Sequence, residues 1–302
     1  MVSLHIEPTS KCTLECPLCD RTWFFKTFKK RLLHEIDIDR LVDFVSNDTE
    51  IDMCGNNGDP IYHSKFIELC KALKEKNCTI QITTNGSAKT VSWWQELCGV
   101  LDKKDQITFS IDGLQDTNHL YRKNCKWSSV MNAVKTVSQN KIKMIWKFII
   151  FKHNQHQINE AKKLSVNLGF ANFRLEKSDR WLDAIDFMPD DHNVDKHYLT
   201  QQKVLKDKNY TVKMEPYCLV NNKPERALYI DAEGNFYPCC WIGSYRYKYK
   251  SIFSPTKNKF NIENTSMKNI LQDNKVVNFF NSTKQFTSAH ECCKIQCGVK
   301  NG

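Results

Sequence analysis

Three cysteines stand at C-x3-C-x2-C spacing in Cys12-Thr-Leu-Glu-Cys16-Pro-Leu-Cys19. Thiolate is the soft ligand that suits zinc and iron–sulfur clusters, and so short a loop can bring three thiols to one point. A closed structural zinc site takes four protein ligands, so this loop is one short of it. A 4Fe-4S cluster held by three cysteines leaves one iron open, and an open iron can bind a substrate or cofactor. A second set of thiols lies far along the chain: Cys218, then Gly234, then Cys239 and Cys240, then Cys292, Cys293 and Cys297. Between Cys218 and Cys239, residues Ala227 to Pro238 read as two strands around a turn at Gly234, a hairpin that draws Cys218 towards Cys239. Four thiolates gathered there would suit zinc as well as a cluster.

The chain has 302 residues, 41% hydrophobic and 11% aromatic, enough for one large domain and a small one. Its 14 cysteines exceed what packing needs. Met1-Val2-Ser3-Leu4-His5 lacks a basic region followed by a long apolar run, so no signal peptide is expected and the chain reads as cytoplasmic. In that compartment many cysteines point to metal ligation rather than disulfides. The longest apolar stretch, Met144 to Phe151, is short and contains Lys147, so no membrane span is expected. A net charge of +10, from 44 Lys+Arg against 34 Asp+Glu, permits an anionic partner without naming one.

The elements that must position these thiols alternate. Leu4-His5-Ile6 reads as a strand directly before the first cysteine loop. Ile36 to Val45 has helical apolar spacing, and Glu50 to Met53 reads as a strand. Helix 64–76 precedes a strand from Cys78 to Thr83, and helix 90–98 precedes one from Ile107 to Ile111. Helix 127–139 is followed by a long strand from Ile142 to Phe151. Helix 155–168 ends at Gly169, a C-cap glycine, before a strand from Phe170 to Leu175. Helix-bearing connections of this length suit parallel pairing. The fold class that satisfies the pattern is α/β: a partial (β/α)6 barrel over 1–175, a linker over 176–214, and a small cysteine-rich α+β domain over 215–302. Ligands are expected at the carboxyl ends of the strands.

The strand before C-x3-C-x2-C, with Glu7-Pro8-Thr9-Ser10-Lys11-Cys12 leading in, resembles the radical S-adenosylmethionine (SAM) superfamily. Leu18 stands where an aromatic residue is usual before the third cysteine. Other strand ends resemble the same family. Cys54-Gly55-Asn56-Asn57-Gly58-Asp59-Pro60 is similar to its "GGEP" motif, with Asp for Glu, where backbone groups take the SAM amino group; glycine lets backbone approach a ligand closely. Thr84-Asn85-Gly86 ends the third strand. Ser110-Ile111-Asp112-Gly113 matches "SxDG", whose polar side chains meet ribose and methionine. The resemblance makes Arg122 a candidate for the methionine carboxylate, which a guanidinium can hold with two parallel hydrogen bonds. It therefore implies catalytic ligands Cys12, Cys16 and Cys19, and SAM contacts at Gly58, Asp59, Pro60, Asn85, Ser110, Asp112 and Arg122.

The C-x15-G-x4-C spacing with a late cysteine group resembles the SPASM/twitch extension of these enzymes. The six late cysteines fall short of two auxiliary clusters, so the one-cluster twitch form is expected. It implies an auxiliary 4Fe-4S cluster on Cys218, Cys239, Cys293 and Cys297, with Cys240 and Cys292 as alternates. The barrel cluster is expected to assemble without this domain. Cys54, Cys70, Cys78, Cys98 and Cys125 read as small core residues.

The implied activity is reductive cleavage of SAM and hydrogen-atom abstraction from a substrate, a net oxidation if the auxiliary cluster takes the electron back. The implied partners are SAM and an electron donor such as flavodoxin or ferredoxin. The substrate is a peptide or protein, a sugar or aminocyclitol, or a nucleotide or RNA, the last favoured only by the charge. A non-catalytic iron–sulfur or zinc protein is the rival, though it has no need of a SAM pocket. Tyr245-Arg246-Tyr247-Lys248-Tyr249-Lys250 could grip a polyanion, but reads better as an edge strand with its lysines in solvent. Phe25-Lys26-Thr27-Phe28-Lys29-Lys30-Arg31 raises the same alternatives. In the linker, His192 and His197 read as surface histidines, and Trp181 and Phe187 as packing locally.

Overall fold

The computed structural model describes residues 3–178, 181, 185–190, 193, 213–220, 223–224, 227–245, 247–248, 251–254 and 259–299. His192, His197, Arg246, Tyr249 and Lys250 lie outside them.

Six strands, Ser3–Ile6 (β1), Glu50–Met53 (β2), Thr79–Thr84 (β3), Gln106–Ser110 (β4), Lys143–Ile149 (β5) and Asn172–Glu176 (β6), pair in sequence order, all parallel. Crossover segments bear Asp20–Phe28 (α1), Ile38–Phe44 (α2), Phe66–Glu75 (α3), Val91–Val100 (α4), Asn118–Tyr121 (α5), Trp127–Ser138 (α6) and Ile158–Asn167 (α7). Local chemistry starts and stops them. Asp37 accepts the Arg40 N–H to cap α2, and Thr90 accepts the Trp93 N–H to cap α4. Gly169, at φ +81°, turns the chain out of α7. Leu4, Ile6, Ile51, Met53, Ile80 and Ile82 point to the helix layer and are fully or nearly fully buried. Period-2 alternation sends His5, Asp52 and Thr83 to the opposite, barrel-interior face.

The sheet holds eight strands rather than the six expected. Leu228–Ile230 (β10) pairs parallel to β1, Leu4 opposite Leu228 and Ile6 opposite Ile230. Phe236–Tyr237 (β11) pairs antiparallel to β10, which is the expected hairpin. The order runs β11-β10-β1-β2-β3-β4-β5-β6, so the barrel stays open. Two pairs of two-residue strands complete the described strands: Lys213–Met214 (β7) with Gly298–Val299 (β12), and Leu219–Val220 (β8) with Lys223–Pro224 (β9). Helices Cys240–Gly243 (α8), Met267–Gln272 (α9), Asn274–Ser282 (α10) and Glu291–Cys297 (α11) close the C-terminal part. One hydrophobic core joins the two ends of the chain, taking in Leu4 and Ile6 with Phe236, Phe253 and Cys292.

The tyrosine–lysine run is not an edge strand at the residues described. Tyr247 and Lys248 lie in turns after α8. The Lys248 side chain is 2% exposed, its ammonium 3.7 Å from both Asp231 and Glu233 and over the Tyr245 ring. A buried cation persists only where carboxylates offset its desolvation. The second run, from Phe25, is the exposed end of α1 and the turn after it.

Candidate active site

The first cysteine loop hangs between the end of β1 and the start of α1, whose N-cap is Cys19. Cys12, Cys16 and Cys19 line one cavity of about 420 Å³ at the carboxyl ends of the strands. Gly58, Asp59, Asn85, Ser110 and Arg122 line it too. Pro60 and Asp112 do not. Pro60 starts a 3-10 turn behind the wall. Asp112 is fully buried, where Oδ2 takes the Arg122 Nε–H at 2.6 Å and Oδ1 takes the Ile149 N–H at 2.7 Å. Asp112 thus aims Arg122 at the cavity rather than meeting it.

Glu7 organises the loop after β2. Its Oε1 accepts the N–H groups of Asn57 and Gly58, both at 2.8 Å, and Oε2 accepts from the Tyr229 hydroxyl. A Cβ on Gly58 would fall on the carbonyl of Thr9, so only glycine lets this loop lie against the cysteine loop. Asp59 then links strands. It accepts from the Thr84 hydroxyl at 3.0 Å, the Asn85 N–H at 2.7 Å and the Asn85 side-chain amide. Burial raises the Asp59 pKa to about 6, opposed by those donors and by Arg122.

Burial also pushes the Cys12 and Cys16 thiols up to about 12, with Arg21 opposing at Cys12 and Arg122 at Cys16. Thiolates there need a positive group to hold them. The Arg21 Nε–H is buried without an acceptor beside the same cavity. No three His, Cys, Asp or Glu side chains among the described residues converge as one bare metal ion requires. Three separated thiols, an unused donor and adjoining open volume fit a larger sulfur-bearing group with a small molecule beside it, and the volume lies within the usual range for small-molecule sites. Behind the loop an apolar wall keeps water out: Tyr121 packs on Phe151, ring centroids 4.1 Å apart, and Trp181 is fully buried in the same cluster as Leu14, Cys16 and Leu18. Trp181 therefore backs the cysteine loop, beyond the local packing expected of it.

Of the four late thiols expected as ligands, Cys218, Cys293 and Cys297 lie within electrostatic reach of one another, and Cys239 within reach of Cys218 and Cys293. Burial raises Cys239, and Cys240, Cys292, Cys218 and Cys293 raise it further, in that order. Burial followed by Cys297 raises both Cys218, to about 12, and Cys293. Of the alternates, Cys292 is buried beside Cys239, while Cys240 lines the first cavity. These thiols gather in one region without converging on the single point a bare zinc ion would need. Cys70, Cys78 and Cys98 are buried core residues as expected, but Cys54 faces the first cavity with Cys240.

Sequence reasoning missed His5, Glu7, Lys147 and Tyr229. His5 lies between Cys54 and Cys240; burial lowers its pKa, but those thiols raise it more. Lys147 lines the cavity, and its ammonium has no hydrogen-bond or ion-pair partner among the described residues. Only strand alternation could have flagged His5 and Lys147, as polar positions on the interior face of β1 and β5. Glu7 and Tyr229 are 222 residues apart and meet only because β10 joins β1.

Residues 6–164 match the family model of the radical SAM superfamily, and residues 218–298 match SPASM, an iron–sulfur cluster-binding domain. The tungsten-containing aldehyde ferredoxin oxidoreductase cofactor-modifying protein of Pyrococcus furiosus is 25% identical over 191 residues, 56% of this chain and 49% of that protein. The chain thus spans about half the length of that relative. Streptococcus suis SuiB bound to precursor peptide SuiA matches with a TM-score of 0.64 at 15% identity, over 93% of this chain and 66% of that one. Native anSMEcpe with bound AdoMet and Cp18Cys peptide matches with a TM-score of 0.63 at 17% identity, over 98% of this chain and 86% of that one. At such identities the likeness is one of fold. No helix among the described residues is long and apolar enough to cross a membrane. The family brings a 4Fe-4S cluster and SAM, and the SPASM domain brings auxiliary iron–sulfur binding. With its three loop thiols and the cavity they share, the chain belongs to the radical SAM superfamily and carries a SPASM domain after its barrel.

Proposed function

We propose that this protein modifies a peptide or protein substrate by hydrogen-atom abstraction, with net oxidation of the substrate. The observation that carries it is the one cavity shared by the three loop thiols, the Asp59–Asn85 pair and the Lys147 ammonium. A 4Fe-4S cluster and SAM, when bound there, supply one-electron cleavage of SAM and a carbon radical able to take a hydrogen atom.

The chain's own residues do the rest. Cys12, Cys16 and Cys19 would hold the cluster. Backbone groups of the loop carrying Gly58 present acceptors to the SAM amino group, with the Asp59 charge behind them. Arg122, aimed by Asp112, meets the methionine carboxylate, and Ser110 the ribose. Tyr121, Phe151 and Trp181 exclude water from the reacting face. Lys147, on β5, suits a carboxylate or carbonyl of an incoming peptide. Cys218, Cys239, Cys293 and Cys297 would hold the auxiliary cluster. The peptide class is supported by the two structural neighbours that hold peptides and by a relative named for modifying a protein's cofactor. Flavodoxin or ferredoxin is the donor class.

The test is anaerobic reconstitution followed by assay of 5′-deoxyadenosine with SAM and dithionite, alone and with peptide, sugar and RNA pools. Peptides should raise the yield and lose two hydrogens by mass. Cys16→Ala should abolish the product; unchanged cleavage by that variant would sink the radical reading. Stimulation by sugars or RNA but not by peptides would sink the peptide class alone.

A further inference from the structure

The reaction needs one electron from outside, and α1 points to where it enters. The helix starts at the cluster thiol, with Cys19 as its N-cap, and runs outward through nine residues. At about 1.5 Å per residue its far end is roughly 14 Å from that thiol. The segment from Arg21 to His34 holds five basic residues and no acidic one. Residues 25–31 are exposed without a break. Phe25 is 43% exposed, Phe28 54% and Leu33 64%, among Lys26, Lys29, Lys30 and Arg31. None of those four cations forms an ion pair among the described residues, and Arg31 only lies over the Phe25 ring. Phe24 and Leu32 beneath are buried with Tyr245, so the patch has a packed base. None of residues 25–31 lines the catalytic cavity, so a partner on this face leaves the substrate path clear.

We propose that the end of α1, Phe25 to Leu33, is the docking surface for an acidic protein that carries a low-potential one-electron centre. This rests on the radical SAM reading above. The apolar rings supply contact area and the four cations steer a negative partner. The carrier loses one electron and the cluster beside Cys19 gains it; no proton or group moves. Polyanionic RNA could also meet cations and exposed rings. The position argues for the carrier, because the patch is one short helix from the centre to be reduced and stands apart from the substrate cavity.

The experiment uses the reconstituted holoprotein and a purified flavodoxin kept reduced by its reductase and NADPH. The variant is Lys26→Glu/Lys30→Glu/Arg31→Glu; Lys29 is left alone because it holds a left-handed turn at φ +54°. Cluster bleaching is followed by stopped flow against ionic strength, and flavodoxin affinity by calorimetry. Steering by opposite charge raises association about 10–1,000-fold and fades with salt. The variant should therefore be reduced by flavodoxin at least tenfold more slowly at low salt, with a flattened salt dependence and weaker binding. Dithionite should reduce both proteins equally. Equal rates with flavodoxin overturn the proposal, as does an equal loss with dithionite. A mixed-sequence RNA oligonucleotide held by wild type and lost by the variant, with flavodoxin rates unchanged, gives the surface to RNA instead and overturns it as well. A wild-type cluster that neither reductant bleaches overturns the family-level chemistry and the proposal together.

Discussion

Asp59 is a cavity carboxylate whose titration falls within reach of a biochemical buffer. Burial raises it to about 6, so it loses a proton only above that value in the free protein. A bound ammonium favours the charged form and lowers the pKa in the complex. By linkage, SAM affinity is at its plateau above about pH 6, falls as pH drops through that value, and levels off below the pKa of the complex. Asp59→Asn should bind SAM more weakly at pH 7.5 and lose this pH step. Calorimetry from pH 5 to 8 checks both; a step that survives in Asp59→Asn assigns the titration elsewhere. The neighbouring pair behaves differently. Asp112 is fully buried against Arg122, itself largely buried, so removing one partner leaves an uncompensated charge. Asp112→Ala should cost about 3–5 kcal/mol by urea unfolding, and SAM affinity should fall although Asp112 does not line the cavity.

At the scale of elements, two loops lie against each other, and the one after β2 has no room for a side chain at Gly58. The Asp59 N–H bonds the Lys11 carbonyl at 3.0 Å, and Gly58 meets the Thr9 backbone. Gly58→Ala should cost about 1–3 kcal/mol through forced displacement and weaken SAM binding, with iron content read beside it; normal SAM affinity would show that the loops can part freely. Much of this was legible in the chain. Ligand spacing in Cys12, Cys16 and Cys19 is local, so sequence shows it directly. The alternation of β2 through β6 with helices between them showed the parallel sheet, because β-branched runs and capping residues are local too. What stayed hidden depends on contacts across the chain. Glu7 reads as an ordinary strand-end residue until Tyr229 arrives beside it. Lys248 reads as a solvent lysine because Asp231 and Glu233 are brought to it only by the turn after β10. The aromatic positions of α1 carry no clear period, so its helix did not announce itself between the cysteine loop and α2.

At the scale of the molecule, the sheet crosses the boundary expected between barrel and small domain. Strand β10 extends the barrel sheet at β1, Tyr229 donates to Glu7, the Ser244 hydroxyl bonds Asp20 at 2.5 Å, and the Asn56 amide bonds the Cys240 carbonyl at 2.7 Å. Independent assembly of the two clusters, suggested by three ligands on one short loop, meets an obstacle here. The loop carrying Gly58 and Asp59 is held by Glu7, and Glu7 is held partly by Tyr229 of the second domain. Metal binding at the proposed ligands Cys218, Cys239, Cys293 and Cys297 would support the folding of that domain. Cys218→Ala/Cys239→Ala should therefore lose about half the iron and also bind SAM more weakly, although no mutated residue lines the cavity. Tyr229→Phe separates the causes, since it keeps both thiol sets and the β10 ring and removes one donor from a buried carboxylate. A lost partner of that kind costs about 1–3 kcal/mol. Tyr229→Phe should keep full iron and show part of the SAM defect of the double variant. Iron per chain, SAM affinity and urea midpoints for the three proteins decide it. Full SAM affinity in the double variant would mean that the barrel cluster and its pocket stand alone, and that the continuous sheet is only a seam.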